Sequence, residues 1–233
     1  MSDGDVTDVD VGAAYAAGRE RVVALVAGLP VEQAAMPVPA CPEWRVQDVL
    51  AHISGVCVDI LAGRLDGAGT DPWTEIQVSA RRDLPIDDIV AEWNEAAAQV
   101  EPMAKDFGPA GAQWVFDFST HEHDIRGALD APGARDADTW WISLEFITPG
   151  FHAAVAEHRL PPLRIVTGPR IWEPESVEPV ETLTADPFEL GRAISGRRSL
   201  DQIRAFDWST DPEPYLAAFT FGPFTPRAAD LVE

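Results

Sequence analysis

The sequence has 233 residues, of which 46% are hydrophobic and 24% are charged, the composition of an ordinary soluble globular protein. A chain of this length forms one large domain or two small ones. Its formal net charge of −22 argues against binding to nucleic acid or to anionic membrane surfaces, because both need a basic patch. No apolar run reaches the roughly 18 residues that a membrane-spanning helix needs.

The start of the chain and its two cysteines bear on the compartment. The segment MSDGDVTDVD has neither a basic n-region nor an apolar h-region, so we expect a short disordered acidic lead-in rather than a signal peptide. Cys41 and Cys57 match no CxxC redox or zinc pattern, and we expect no disulfide framework. Both observations favour a cytoplasmic protein.

Apolar residues recur at helical spacing in five segments that are joined by short links. The spacing predicts helices at residues 11–29, 46–65, 85–105, 114–129 and 139–158. Between the first two helices we expect a proline-punctuated loop, and a second loop at residues 67–73. Apolar helices with short links predict an antiparallel bundle, with no strand among residues 11–130.

The pattern changes after Pro161. The segment LRIVTG predicts a strand, and IWEPESVEPVETLTAD predicts one or two more. Asp186 begins an N-cap signature for a helix that Gly196 closes, and Ser199 begins a second capping box. The predicted fold class is therefore α+β, with a helical bundle at residues 1–159 and a small α/β C-terminal domain at residues 160–233.

The segment at residues 114–129 concentrates acids and histidines. At about 100° per residue, Asp117, His121 and Asp124 fall within about 60° of one another on one helix face, beside an apolar stripe. Burying two carboxylates and an imidazole is costly unless their charge is compensated, and a divalent metal ion is the simplest compensator. The alternative is the solvated face of an exposed helix. A third ligand from elsewhere in the chain would favour the metal.

The helix predicted at residues 46–65 supplies a candidate for that ligand. Asp48, His52, Gly55 and Asp59 follow the edge of its apolar face. The missing side chain of Gly55 would leave room for a ligand beside His52. The alternative is a structural histidine that is hydrogen-bonded to Asp48 and does nothing more.

Three segments resemble one known family. ACPEWRVQDVLAHISG resembles the second helix of the mycothiol-dependent maleylpyruvate isomerase family, a branch of the DinB-like bundles. Asp117, His121 and Asp124 match the spacing of that family's fourth-helix signature. PFELGRAISGRRSLDQIRAFDW is similar to the small domain often appended to these proteins. The resemblance implies a DinB-like antiparallel four-helix bundle followed by a small α/β C-terminal domain.

The resemblance also implies a metal site and a cosubstrate. It implies a divalent metal, commonly zinc, held by His52, Asp117 and His121, with mycothiol, the thiol of actinobacteria, brought to the metal through its sulfur. In the name-giving enzyme, thiol addition to maleylpyruvate permits rotation about the double bond and yields fumarylpyruvate. The family usually has glutamate where Asp117 stands, one methylene longer, so the metal distance or identity could differ here. Whether His123 or Asp124 joins or replaces Asp117 is left open. The partners expected are a small-molecule thiol and an electrophilic substrate, bound by a monomer or homodimer.

Asp124, Arg197 and Arg198 are the candidate catalytic residues. Asp124 lies one turn after His121 and would orient that ring. Arg197 and Arg198 belong to a basic cluster between residues 192 and 204 that would bind a carboxylate of the thiol or substrate. Alternatively, these arginines pair with acids of the bundle.

The resemblance thus implies an isomerase or S-transferase that uses a metal-bound thiolate, and the candidate metal site is consistent with that chemistry. Two alternatives remain open at this point. One is a non-catalytic metal-binding or regulatory bundle protein. The other is a zinc hydrolase with Asp124 or Asp48 as its general base.

Overall fold

The structure, a computed structural model, describes residues 9–175 and 177–233, so residues 1–8 of the expected lead-in lie outside it. Two compact units divide the chain: the first extends to Gly133 and includes Glu233, and the second is Ala134–Val232. The helix predicted at residues 139–158 therefore lies in the second unit. The predicted domain limits, 1–159 and 160–233, remain a prediction. Within the described ranges, no helix combines the length and apolar character that a bilayer crossing requires.

The first unit is a bundle of helices that bury their apolar sides against one another. Its helices are α1 (Val11–Val26), α2 (Val31–Ala34), α3 (Val46–Ala62), α4 (Asp71–Arg81), α5 (Ile86–Val100) and α6 (Pro109–Ala128). Helix α3 packs against α4, α5 and α6, while α1 packs against α5 and α6. A 3₁₀ helix, Glu101–Asp106, follows α5. The four helices predicted within this unit are thus confirmed; each ends before the predicted residue, and α6 begins earlier than predicted, at Pro109.

An aromatic cluster fills the centre of this bundle. Tyr15 stacks on Trp114 with ring centroids 3.7 Å apart, and Phe118 and Trp93 complete the cluster. The hydroxyl of Tyr15 accepts a hydrogen bond of 3.0 Å from Trp93 Nε1 and lies 3.2 Å from Cys57 Sγ. Burial raises the pKa of Cys57 to about 12, so its thiol stays protonated and unreactive at neutral pH.

A buried ion-pair network joins α1 to α6. Glu122 of α6 is fully buried and accepts from Arg21 of α1 (Nη2–Oε2, 2.7 Å) and from Arg126 (Nη2–Oε1, 3.0 Å). Gly18 permits the close approach of the two helices, because a Cβ there would lie 2.3 Å from Phe118 Cε1. A buried carboxylate is tolerated only when it is paired in this way. The network therefore ties one face of α6 to α1.

The first unit also contains a β-hairpin, which corrects the expectation of no strand among residues 11–130. Strands β1 (Pro37–Val38) and β2 (Cys41–Arg45) are antiparallel, with Val38 opposite Cys41. The segment predicted to be a proline-punctuated loop contains the short helix α2 and this hairpin. Strands this short, and interrupted by proline, do not produce a recognisable alternation of apolar and polar residues.

Helix α4 was not predicted either. The sequence favoured a loop at residues 67–73 and gave no helix after it. The residues that α4 buries are Gln77, Val78 and Arg81, two of which are polar, while Ile76 is 67% exposed. The apolar periodicity that reveals most amphipathic helices is therefore absent from α4.

The second unit combines helices with a four-stranded sheet. Its elements are α7 (Asp138–Glu157), β3 (Leu163–Thr167), β4 (Arg170–Trp172), β5 (Glu181–Thr184), α8 (Pro187–Ile194), α9 (Leu200–Arg204), β6 (Asp207–Trp208) and a 3₁₀ helix, Glu213–Phe219. The strand order is β4-β3-β5-β6, with β3 and β5 parallel and the other neighbours antiparallel. Helix α7 packs against α8.

The helix starts predicted in the second unit are confirmed. Asp186 caps α8 by accepting from Phe188 N at 2.9 Å. Gly196 follows α8 with a φ of +76°, a left-handed conformation that favours glycine. Ser199 and Gln202 form the capping box of α9, with reciprocal bonds of 3.1 and 3.0 Å. These local signals fixed the boundaries because both partners are close in sequence.

Candidate metal centre

Three side chains converge between α3 and α6. One donor atom from each of His52, Asp117 and His121 can be chosen so that all three lie within 4.8 Å of one another. The Nε2 atom of His52 lies 3.2 Å from Asp117 Oδ2, and the Nε2 atom of His121 lies 3.8 Å from Asp117 Oδ1. Both imidazoles are buried, whereas the Asp117 side chain is 37% exposed. The group therefore reaches solvent on the carboxylate side.

These distances suit a divalent ion. Zinc holds nitrogen and oxygen ligands at about 2.0–2.2 Å, so two ligands of a tetrahedron lie about 3.4 Å apart. The donor set of two imidazoles and one carboxylate leaves a fourth position, which is the arrangement of reactive rather than structural zinc sites. The structure thus brings together the three predicted ligands, His52, Asp117 and His121. Their role as ligands remains a prediction.

Asp124 contacts His121 in the manner expected of an orienting residue. Its Oδ2 atom lies 3.0 Å from His121 Nδ1, and the Asp124 side chain is fully buried. A carboxylate on Nδ1 holds the proton on that nitrogen and leaves the Nε2 lone pair available. Cys41 Sγ lies 4.0 Å from the same Asp124 oxygen. His121 therefore presents Nε2 toward Asp117.

Gln77 plays the corresponding part for His52, and sequence reasoning missed it. Its Oε1 atom lies 2.7 Å from His52 Nδ1. The expectation that Gly55 leaves room for a ligand is wrong, because a Cβ at Gly55 would lie 2.6 Å from Gln77 Cβ. Gln77 occupies that space. The histidine, cysteine and carboxylate patterns that indicated this site do not include an amide, so only the position of α4 could have revealed Gln77.

The alternative in which His52 bonds to Asp48 is also wrong. Asp48 accepts instead from the backbone N and the Nε of Arg45, both at 2.9 Å. That arrangement caps the start of α3. The Nδ1 atom of His52 instead contacts Gln77, and its Nε2 atom faces Asp117.

Two tryptophans flank the histidines. Trp44 of β2 stacks near His121 with ring centroids 5.6 Å apart and lies 5.4 Å from the His52 ring. Trp73 of α4 meets His52 edge-on at 6.4 Å. Both elements that carry these tryptophans, the hairpin and α4, were absent from the sequence prediction. The aromatic walls would exclude water from the donor atoms.

The charge of His52 depends on its neighbours. Burial lowers the pKa of His52, but the Asp117 carboxylate and the bond with Gln77 outweigh that effect, so the pKa lies above its ordinary value of 6.5. A raised folded-state pKa stabilises the protein below pH 6.5, and that stabilisation is lost as the pH rises through the folded-state pKa.

We expect the metal-free wild type to lose unfolding free energy relative to a His52→Gln variant as the pH rises above about 6.5 and through the raised folded-state pKa of His52, because glutamine cannot carry the charge. Urea unfolding with a chelator present, at several pH values, measures the difference. Parallel pH curves for the two proteins would show that His52 is not held in its charged form by Asp117.

The other candidate residues lie outside this group. His123 is buried rather than exposed, which favours packing, and it is not among the three clustered donors. Arg198 of the second unit is 1% exposed and pairs with Glu189 (Nη2–Oε1, 3.0 Å), and Arg197 Nη1 donates to Ser195 O at 2.6 Å. Arg198 thus pairs with an acid of its own unit. The catalytic roles assigned to Arg197 and Arg198 remain predictions.

The comparison with protein families decides the relationship. The model described as the mycothiol maleylpyruvate isomerase N-terminal domain matches residues 15–141, more than half of the chain. The chain belongs to this family. The resemblance seen in the sequence is thereby confirmed, and it places the chain in a family of enzymes. The matched region contains His52, Asp117, His121 and Asp124.

Solved structures agree on the fold. A crystal structure of the mycothiol-dependent maleylpyruvate isomerase matches with a TM-score of 0.56 and 10% identity, covering 91% of this chain and 97% of that one. A histidine-to-alanine mutant of that enzyme matches with a TM-score of 0.55, equal identity and the same coverage. At this identity the likeness concerns the fold alone, and it confirms a helical bundle followed by a small α/β domain. No curated protein sequence matches the chain.

Proposed function

We propose that this family member is a divalent-metal-binding, mycothiol-dependent enzyme of the maleylpyruvate isomerase type, with zinc as the metal. The observation that carries the proposal is the convergence of His52, Asp117 and His121 within the region matched by the family model. Two neutral imidazoles and a carboxylate form a donor set that suits zinc. A divalent ion bound there would keep the sulfur of a bound thiol as a thiolate at neutral pH.

The protein's own groups prepare the site for that chemistry. Gln77 and Asp124 hold the two imidazoles with their Nε2 atoms toward Asp117. Trp44 and Trp73 provide apolar surface beside the donor atoms, which suits the flat, unsaturated carbon chain of a substrate. The partly exposed side of Asp117 is the route by which a thiol would reach the site.

In the proposed isomerisation, the thiol sulfur adds to an electron-poor cis double bond. One C–S bond forms, the π electron pair moves onto the conjugated carbonyl as an enolate, and the former double bond becomes a single bond about which the chain rotates. Elimination then breaks the C–S bond, restores the double bond in the trans form and returns the thiol. Atoms and electrons balance without any oxidant or reductant. If the adduct is released instead, the same site performs an S-transfer.

The remaining parts of the proposal concern partners and place. We propose a small-molecule thiol and an electrophilic substrate as partners of a cytoplasmic monomer or homodimer. Arg197 and Arg198 are the candidates for binding a substrate carboxylate, because guanidinium groups pair with carboxylates in a bidentate manner.

Thiol binding with proton release tests the proposal. We expect zinc-loaded protein to bind mycothiol, in preference to glutathione, with release of about one proton near pH 7, because a free thiol with a pKa of about 8.5 is largely protonated there. Isothermal titration in two buffers of different ionisation enthalpy measures affinity and proton count together.

A metal-free His52→Ala protein serves as the comparison and should release no proton. Absence of thiol binding at millimolar concentration by the zinc-loaded wild type would favour the regulatory or hydrolase alternative. Binding without turnover of a cis-unsaturated diacid would leave the thiol role intact and make the isomerase assignment wrong.

A further inference from the structure

A series of hydrogen bonds connects the solvent-exposed Arg64 to the Nδ1 atom of His52. Arg64, at the end of α3, donates through Nε to Asp59 Oδ1 at 2.9 Å. Asp59 is 5% exposed, and its Oδ2 accepts from Gln77 Nε2 at 2.8 Å. Gln77 is 2% exposed, and its Oε1 lies 2.7 Å from His52 Nδ1. Both carboxylate oxygens of Asp59, and both the oxygen and the nitrogen of the Gln77 amide, thus have hydrogen-bond partners.

The directions of these bonds determine the tautomer of His52. A carboxylate only accepts hydrogen bonds, so the Gln77 amide must turn its NH₂ toward Asp59 and its oxygen toward His52. An amide oxygen also only accepts, so His52 Nδ1 must carry a proton. In the neutral ring, the lone pair then lies on Nε2, the nitrogen that faces Asp117.

The two histidines of the site reach this tautomer by different means. His121 uses a carboxylate directly, since Asp124 Oδ2 lies on its Nδ1. His52 uses a neutral amide, and the orientation of that amide is fixed by a carboxylate one bond further away. Glutamine can present either its oxygen or its nitrogen to a neighbour. The Asp59 carboxylate therefore determines which atom of the Gln77 amide faces His52.

We propose that Gln77 and Asp59 are positioning residues that hold His52 in the tautomer with a free Nε2, as metal binding at this site requires. The proposal rests on the proposed function for its purpose, but the tautomer itself is a property of the metal-free protein. The tautomer and the metal function can be tested separately, because the substitution Asp59→Asn removes only the constraint on the orientation of the Gln77 amide.

Asp59→Asn is the informative variant. Asparagine both donates and accepts, so the Gln77 amide can take either orientation, and we expect a mixture of the two neutral tautomers of His52. Nitrogen-15 chemical shifts of the imidazole, recorded on metal-free protein at a pH above which the shifts no longer change, so that the ring is neutral, distinguish them. The wild type should show a single tautomer, with the proton on Nδ1.

Asp48→Asn is the matched control. Asp48 lies on the same helix, is 6% exposed and pairs with an arginine, as Asp59 does, but no hydrogen bond connects it with Gln77. We expect it to leave the tautomer unchanged even if it lowers stability. A wild type with the proton on Nε2, or an Asp59→Asn protein with the wild-type tautomer, would overturn the proposal.

A double variant restores the donor-to-acceptor direction of these hydrogen bonds. In Gln77→Glu with Asp59→Asn, the asparagine amide donates to the new carboxylate, whose second oxygen accepts from His52 Nδ1. We expect the single tautomer to return. Zinc affinity, measured by competition with a chromophoric chelator, should fall about 10- to 100-fold in Asp59→Asn and recover in the double variant.

The outcomes also separate the two proposals. If the tautomers behave as expected but zinc does not bind even to the wild type, the proposed metal function fails and the positioning role stands. If zinc binds to the wild type but Asp59→Asn changes neither tautomer nor affinity, the positioning role is wrong and the metal function stands.

Discussion

Replacing His121 with alanine is expected to reduce zinc affinity by about 100-fold or more. Structural zinc sites with four ligands bind with about 10–16 kcal/mol, so one ligand contributes about 3 kcal/mol. His52→Ala should have a similar effect, because the two imidazoles stand in equivalent positions around Asp117. Elemental analysis after dialysis, followed by chelator competition, measures occupancy and affinity.

His158→Ala provides the control for this experiment. His158 is exposed in the second unit and is not part of the clustered donors, so its removal should leave about one zinc ion per chain. Full zinc occupancy in the His121→Ala protein would show that the ion is held elsewhere. The proposed site would then be wrong, whatever the enzymatic activity.

Gly55→Ala is expected to lower the free energy of unfolding by about 2 kcal/mol. Overpacking at a closed interface costs about 1–3 kcal/mol, and the higher helix propensity of alanine offsets only part of it. The added Cβ would lie 2.6 Å from Gln77 Cβ and 2.7 Å from Gln77 Cγ, so α4 must move away from α3. That movement would also separate Gln77 from His52, and zinc affinity should fall.

Gly111→Ala is the matched substitution, because this glycine is also within a helix. There the nearest atoms would lie at 3.4 Å, which is ordinary contact. We expect this variant to be unchanged or up to about 1 kcal/mol more stable, because alanine has the higher helix propensity. Urea unfolding with and without zinc compares the two. Equal stability of the two variants would contradict the close packing of α4 on Gly55.

The sequence allowed prediction of the groups that the helical repeat aligns. Asp117 and His121 lie one turn apart, and Asp124 follows by three residues, so helix geometry alone places all three on one face. His52 could be added because α3 shows a clear apolar stripe. Family resemblance then joined two helices that are distant in sequence. Long, periodic helices are the elements for which such reasoning works.

The parts that could not be predicted are those whose contacts are polar or very short. Helix α4 buries Gln77 and Arg81, so the sequence contains no apolar stripe that would predict it. Trp44 reaches the histidines from a hairpin whose shorter strand has two residues. Gly55 was correctly singled out, but its space holds a glutamine rather than a ligand. Knowing which side chain fills a gap requires the position of the neighbouring helix.

Helix α6 carries two donors of the candidate metal centre and also the buried ion pair with α1. One side carries Asp117 and His121, while the adjoining side carries Glu122, held by arginines from α1 and α6. A rotation of α6 by about 10°, at a side-chain radius of about 6 Å, displaces a donor atom by about 1 Å. Metal–ligand distances tolerate only about 0.2 Å. If the proposed site holds an ion, substitutions between α1 and α6 should therefore alter its affinity, although none of those side chains belongs to the proposed ligand set.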